Sequence, residues 1–282
     1  MLDLFLKYNK PCDICLDEKC AGTHTCNCST CKSLKECPKF LRATIRITNK
    51  CTQTCSHCCF NSSPNSNTMM TIEMAEKIGL FIKNNNIFDI NLMGGEFFCN
   101  KNWFEILSIL INNTKLMRLV TNGDWAANTE ITNKVIEFIS LHKDQLRIAI
   151  SKDKWHTNKN IEKAEAYIKD LNVLCHVATE EETKDESIIP IGRSELIYSP
   201  FYSLFSCYCH NIEKQYSFLI DEKGDIYKCS FGVWKYDNIQ NFIEGGFNKR
   251  FKEFNKKFYS LFIPSCKKCI NACEKEYRVS TD

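Results

Sequence analysis

The sequence predicts an α/β fold built on a parallel sheet, as a barrel or as an open sheet, on three observations. Apolar segments of period two alternate with segments of helical period between residues 41 and 179, joined by short connections. The chain of 282 residues is 44% hydrophobic and 12% aromatic, enough for one large core with a small unit appended. Of its 19 cysteines, all but Cys99 and Cys175 gather on the two flanks of the alternating stretch and just behind its first strand.

The elements follow in order. LRATIRIT (41–48) is alternating and β-branched, hence a strand. TIEMAEKIGLFIKNNN (71–86) repeats apolar residues at Ile72, Ala75, Ile78 and Ile82, the spacing of one helix face. FDINLM (88–93) is a strand that runs into Gly94-Gly95. WFEILSILINN (103–113) is helical, LMRLVTN (116–122) a strand, ITNKVIEFISLH (131–142) helical and LRIAIS (146–151) a strand. KNIEKAEAYIKDL (159–171) is a helix and VLCHVAT (173–179) a strand. In such sheets ligands sit at the carboxyl ends of the strands. After Pro200 the pattern changes. YSFLI (216–220) and IYKC (226–229) flank DEKGD and read as a β-hairpin with Gly224 in its turn. FNKRFKEFNKKFYSLF (247–262) sets Phe247, Phe251, Phe254, Phe258 and Phe262 on one stripe, so its basic residues form a solvated face. The chain divides into a Cys-rich metal-binding segment (1–40), a core (41–200) and a C-terminal domain (201–282).

Composition excludes several classes. A formal net charge of +3 offers no concentrated cationic surface, so no nucleic-acid partner is expected. No apolar run reaches the roughly 18 residues of a membrane span. The opening MLDLFLKYNK holds too short an apolar stretch between Asp3 and Lys7 for a signal peptide, so a cytoplasmic protein is expected. In a reducing compartment, clustered thiols point to metal rather than to disulfides.

CTQTCSHC places Cys51, Cys55 and Cys58 directly after the first strand. An iron–sulfur cubane held by three cysteines keeps one iron without a protein ligand, and that iron can chelate a small molecule. One helix later the next strand ends in Met93-Gly94-Gly95-Glu96. The glycines let a ligand approach the backbone closely, and Glu96 can hold an ammonium group. Motif, order and placement together resemble the radical S-adenosylmethionine (SAM) superfamily over roughly residues 41–200.

That resemblance implies a partial (β/α)6 TIM-like barrel, carrying a small C-terminal β-hairpin-plus-helix cluster domain and the Cys-rich N-terminal segment. It implies a 4Fe-4S cluster on Cys51, Cys55 and Cys58, with SAM chelated through its amino and carboxylate groups. Gly94, Gly95 and Glu96 would contact the amino group, and His57 would lie near the adenine. Asn122 and Ser151, at the ends of strands three and four, become candidates for ribose and carboxylate contacts; ordinary turn chemistry is the alternative at each. Asp153 and His156, in SKDKWH, are candidates for a proton-handling pair facing substrate, or for structural residues. The implied reaction is reductive cleavage of SAM to methionine and a 5′-deoxyadenosyl radical, which abstracts hydrogen from an unactivated carbon. An electron donor such as flavodoxin or ferredoxin would serve it. A ribosomally made peptide is the leading substrate; a sugar, nucleotide or other small molecule, acted on by a dehydrogenase or isomerase, is the alternative. A non-catalytic iron–sulfur electron carrier would explain the thiols but not Gly94-Gly95-Glu96.

In the C-terminal third, Cys209, Gly224, Cys229 and the CKKC ending at Cys269 resemble the SPASM or shorter twitch extensions of the same superfamily. The resemblance implies an auxiliary 4Fe-4S cluster on Cys209, Cys229, Cys266 and Cys269, with Cys207 and Cys273 as alternates. Structural zinc on the same thiols stays open. At the N-terminus, Cys12, Cys15, Cys20, Cys26, Cys28, Cys31 and Cys37 include two chelating C-x-x-C pairs. A zinc knuckle and a third iron–sulfur cluster are equal candidates there. Cys59, Cys99 and Cys175 read as buried small hydrophobes, with Cys175 an alternative source of a hydrogen atom for a substrate radical.

Overall fold

The structure, a computed structural model, describes residues 41–156, 159–173, 175–178, 193, 216–227, 232 and 235–261. Eight strands form one sheet in the order β5-β4-β3-β2-β1-β6-β7-β8. β1 (Leu41–Ile45), β2 (Asp89–Leu92), β3 (Leu116–Thr121), β4 (Leu146–Ser151) and β5 (Cys175–Ala178) are parallel neighbours in chain order. This is the parallel α/β sheet the periodicity predicts. β1 is shorter than its alternating segment, but the chain stays extended: Arg46 N–H donates to Ile220 O at 2.9 Å and Met93 N–H to Ile45 O at 3.1 Å.

Register assigns the two faces. Ala43, Ile45, Ile90, Leu92, Met117, Leu119, Ile148 and Ile150 share one side, each at most 3% exposed. Four helices complete the strand–helix alternation: α1 (Ile72–Asn84), α2 (Trp103–Asn112), α3 (Thr129–His142) and α4 (Ile161–Asp170). Their buried residues, such as Ala75, Ile78 and Ile82 of α1, join the same core cluster as the apolar sheet face. α1 begins where Thr71 caps it, the Thr71 hydroxyl accepting from Met74 N–H at 3.1 Å. The opposite sheet face is polar, with Arg42, Thr44, Asp89, Asn91, Arg118 and Ser151 in alternate positions.

β6 (Tyr216–Ile220) lies parallel to β1 and turns back antiparallel into β7 (Asp225–Tyr227) and β8 (Lys235–Asn238). The predicted hairpin therefore extends the core sheet across residue 200. Gly224 has φ +80°, and a Cβ there would crowd Ile239 Cγ1 at 2.9 Å, so its turn needs glycine on both counts. α5 (Phe247–Leu261) buries Phe247 and Phe251 against Phe218, as its phenylalanine stripe predicts. Asn85 ties this region to α1: its amide donates to Phe81 O and Phe242 O, and its Oδ1 accepts from Phe247 N–H. Among the described residues no helix is long and apolar enough to cross a membrane.

Candidate active site

The loop after β1 carries Cys51, Cys55 and Cys58, and three neighbours fix its path. From the β2 side, Gly95 N–H donates to Thr48 O at 3.0 Å and Glu96 N–H to Lys50 O at 2.9 Å. From its own return, Cys51 N–H donates to Ser63 O at 3.1 Å. From far along the chain, Arg193 donates its backbone N–H to Cys58 O (3.1 Å), Nε to Cys55 O (2.9 Å) and Nη2 to Ser62 O (2.6 Å).

Close approach of this loop is what the two glycines permit. A Cβ on Gly95 would collide with the Lys50 carbonyl oxygen, and one on Gly94, at φ +128°, with the Arg46 side chain. The missing Cβ atoms thus make room for the protein's own loop, a second reason for glycine beside the ligand approach the sequence suggests.

Cys51, Cys55 and Cys58 line one open cavity at the carboxyl ends of the strands. His57, Gly94, Gly95, Glu96, Asn122, Ser151 and His156 line it too. Asp153 stands behind His156. The three thiols are half-buried and free of disulfides. Burial pushes Cys51 up to about 11 and Cys55 up to about 12, with neighbouring cysteine charges adding to the rise. Thiols so placed ionise only when a metal draws off the charge. Their sulfurs do not all lie within 4.8 Å of one another, as ligands of a single ion would. Three thiols spread around one open cavity fit an iron–sulfur cluster better than a mononuclear ion.

Glu96 is 2% exposed, yet among the described residues only neutral groups donate to it. Thr121 Oγ1 donates to Oε1 at 2.8 Å and Asn122 N–H to Oε2 at 2.7 Å. Burial outweighs these bonds and pushes its carboxyl up to about 8. Asn122 then links carboxylate to thiol, its Nδ2 donating to Thr52 Oγ1 at 3.1 Å and to Cys51 Sγ at 3.7 Å. Asp124 braces the loop through Thr52 Oγ1 and Gln53 Nε2.

Past β4, Asp153 folds its own loop. Its Oδ1 accepts from Trp155 N–H (2.9 Å), His156 N–H (3.2 Å) and His156 Nδ1 (2.8 Å). Burial alone would raise the Asp153 carboxyl, but the His156 hydrogen bond and the imidazole charges hold it below its ordinary value. His57 meets His156 edge to face, ring centroids 4.9 Å apart, and stacks on Trp155 at 5.8 Å. Burial, then the charge of His156, pushes His57 down to about 4, so this imidazole is neutral.

Three expectations change. Cys59 and Cys99 are half-buried, and Cys59 lines the cavity. Cys175 is exposed on β5 and shares the register of Ile148, on the side opposite Ser151; it does not face the cavity. The N-terminal cysteines, and Cys207, Cys209, Cys229, Cys266, Cys269 and Cys273, lie outside the described residues. Arg193 and Asp124 escape a reading by motif. Arg193 is a single arginine more than a hundred residues from the loop it holds, with no local pattern to announce it.

Residues 45–179 match the family described as the Radical SAM superfamily. Over 133 residues the chain is 29% identical to the antilisterial bacteriocin subtilosin biosynthesis protein AlbA of Bacillus subtilis (strain 168), covering 47% of this chain. It spans only 28% of that relative's length. The fold is similar to BtrN in complex with AdoMet and 2-DOIA (TM-score 0.53, 12% identity, 77% of this chain and 86% of that one). It is likewise similar to tagged anSMEcpe with bound AdoMet (TM-score 0.51, 16% identity, 76% and 83%).

Proposed function

We propose that this chain is a radical SAM enzyme that binds SAM in the cavity beside Cys51, Cys55 and Cys58 and abstracts hydrogen from a C–H bond of a ribosomally made peptide. One observation carries the reading: three half-buried thiols and a buried carboxylate held by neutral donors face one cavity at the strand ends. When bound, a 4Fe-4S cluster supplies the electron that splits SAM into methionine and a 5′-deoxyadenosyl radical. Cys51, Cys55 and Cys58 would hold that cluster. Glu96 would accept a hydrogen bond from the SAM amino group, with Thr121 and Asn122 fixing the carboxylate's orientation. The backbone of Gly94-Gly95 seats the cysteine loop against β2. Asn122 and Ser151 are offered as ribose and carboxylate contacts, His57 as the adenine neighbour, and Asp153–His156 as the pair that takes up a substrate proton.

The peptide class rests on the relative's role in bacteriocin biosynthesis. The resemblance to SPASM and twitch extensions supports an auxiliary cluster on Cys209, Cys229, Cys266 and Cys269, the C-x-x-C pairs support a metal on the N-terminal thiols, and the radical SAM resemblance implies an electron donor such as flavodoxin or ferredoxin. Anaerobically reconstituted protein, given SAM and dithionite, is expected to form 5′-deoxyadenosine. Replacing Cys51, Cys55 and Cys58 together by alanine should abolish it and remove about four irons. Full activity in that variant would defeat the assignment.

A further inference from the structure

We propose that His57, Asp153 and His156 form a binding site for a divalent transition-metal ion, separate from the cysteine ligands. Each offers a ligand atom, and these atoms lie within 4.8 Å of one another, the one such trio among the described residues. Two imidazoles and one carboxylate are a donor set suited to Mn²⁺, Fe²⁺ or Zn²⁺.

The unpaired atoms are the independent observation. The Asp153 side chain is 0% exposed, and its Oδ1 is fully engaged by Trp155 and His156. Among the described residues its Oδ2 is buried with no hydrogen-bond partner, and so is Nδ1 of His57. A buried carboxylate oxygen without a partner costs about 1–3 kcal/mol or more, so a native site that keeps one calls for an ion or a donor. One proton can bridge only one pair of these atoms, and it already lies between His156 Nδ1 and Asp153 Oδ1 at 2.8 Å. A cation taking that proton's place would engage the whole trio.

The site is also preorganised. Asp153 fixes its own loop by accepting from two backbone N–H groups, so its carboxylate cannot swing away. The His156 ring is held by that carboxylate, and the His57 ring by Trp155. The nearby cation Arg193 is committed to the carbonyls of Cys55, Cys58 and Ser62. Metal and proton are then alternative occupants, and a loaded site would not act as a proton acceptor.

The test uses tag-free, full-length, cluster-reconstituted protein titrated with Mn²⁺, an ion that avoids thiolates. Electron paramagnetic resonance (EPR) of the free ion reports uptake. One Mn²⁺ per chain is expected, with affinity lowered about tenfold or more in Asp153→Asn and in His57→Gln. Iron content per chain, measured on both variants, should stay at the wild-type value. His57→Gln keeps the test decisive if Asp153→Asn fails to fold. No uptake by the wild type in the millimolar range, or identical titrations of wild type and His57→Gln, would overturn the site. Formation of 5′-deoxyadenosine is assayed in parallel on metal-free, cluster-loaded protein, so the cation site can fail while the SAM reading stands.

Discussion

Two buried carboxylates at opposite ends of β2 are treated in opposite ways. Asp89 opens the strand, 4% exposed, and two guanidiniums grip its Oδ2: Arg42 Nη2 at 2.5 Å and Arg118 Nη2 at 3.1 Å. Glu96, just past the other end and 2% exposed, has a hydroxyl and a backbone N–H for donors. The first charge is matched by the protein. The second meets only neutral donors among the described residues, and its carboxyl rises to about 8 under burial. A carboxylate buried on neutral donors, at the strand end that opens on a cavity, is a seat for a cationic ligand group. The comparison separates an ion cluster that holds the sheet together from one half of a pair that a ligand would complete.

The largest expected effect is at the structural end. Asp89→Asn abandons two buried guanidiniums and should cost about 3–5 kcal/mol of stability, read as a fall in urea midpoint. Formation of 5′-deoxyadenosine per folded, iron-loaded chain should survive. Glu96→Gln is expected to do the reverse. Near neutral pH and without ligand the variant should be at least as stable as the wild type, while SAM binding, measured by calorimetry, weakens by about 1.5–3 kcal/mol, roughly one to two decades. If Glu96→Gln destabilised the protein more than Asp89→Asn, the two ends would have been misassigned.

The same contrast is sharpened through pH. Folded Glu96 holds its proton up to about 8, against an ordinary value of 4.5. In the unfolded chain the proton is lost sooner, so the folded state binds more protons between those two values. The stability contribution is therefore full below about 4.5 and is lost as pH rises through about 8. Ligand-free wild type should lose stability across that window relative to Glu96→Gln, as chemical denaturation at several pH values would record. On the proposed reading the SAM amino group would donate to the ionised form, so wild-type affinity should rise towards pH 8 while that of Glu96→Gln stays flat.

What sequence could and could not disclose follows the range of the physics. Period-two and period-3.6 patterns are local, so the strands from Leu41 to Ala178 and their helices were legible within a few residues. β8, reading KYDN at Lys235–Asn238, has no apolar alternation to announce it; its pairing with β7 comes from the hairpin beneath. Gly94-Gly95 was legible as a motif, but its part in seating the cysteine loop was not, because the Lys50 carbonyl it accommodates belongs to another strand's loop. Asp153 and His156 could be paired from their spacing of three. That His57 joins them could not, since the contact closes between the loops after β1 and β4. Arg193 was invisible for the same reason.

The central claim is that Cys51, Cys55 and Cys58 hold a cluster with one iron open to SAM. EPR of the dithionite-reduced, reconstituted protein before and after SAM addition tests it most directly. To reduce overlap, Cys209, Cys229, Cys266 and Cys269 are replaced by alanine in the measured protein, and the signal assigned to the cluster is the part lost when Cys51, Cys55 and Cys58 are replaced as well. The account predicts a reduced-cluster signal whose g values shift when SAM is added, and no such signal once Cys51, Cys55 and Cys58 are also replaced. A signal indifferent to saturating SAM would contradict it.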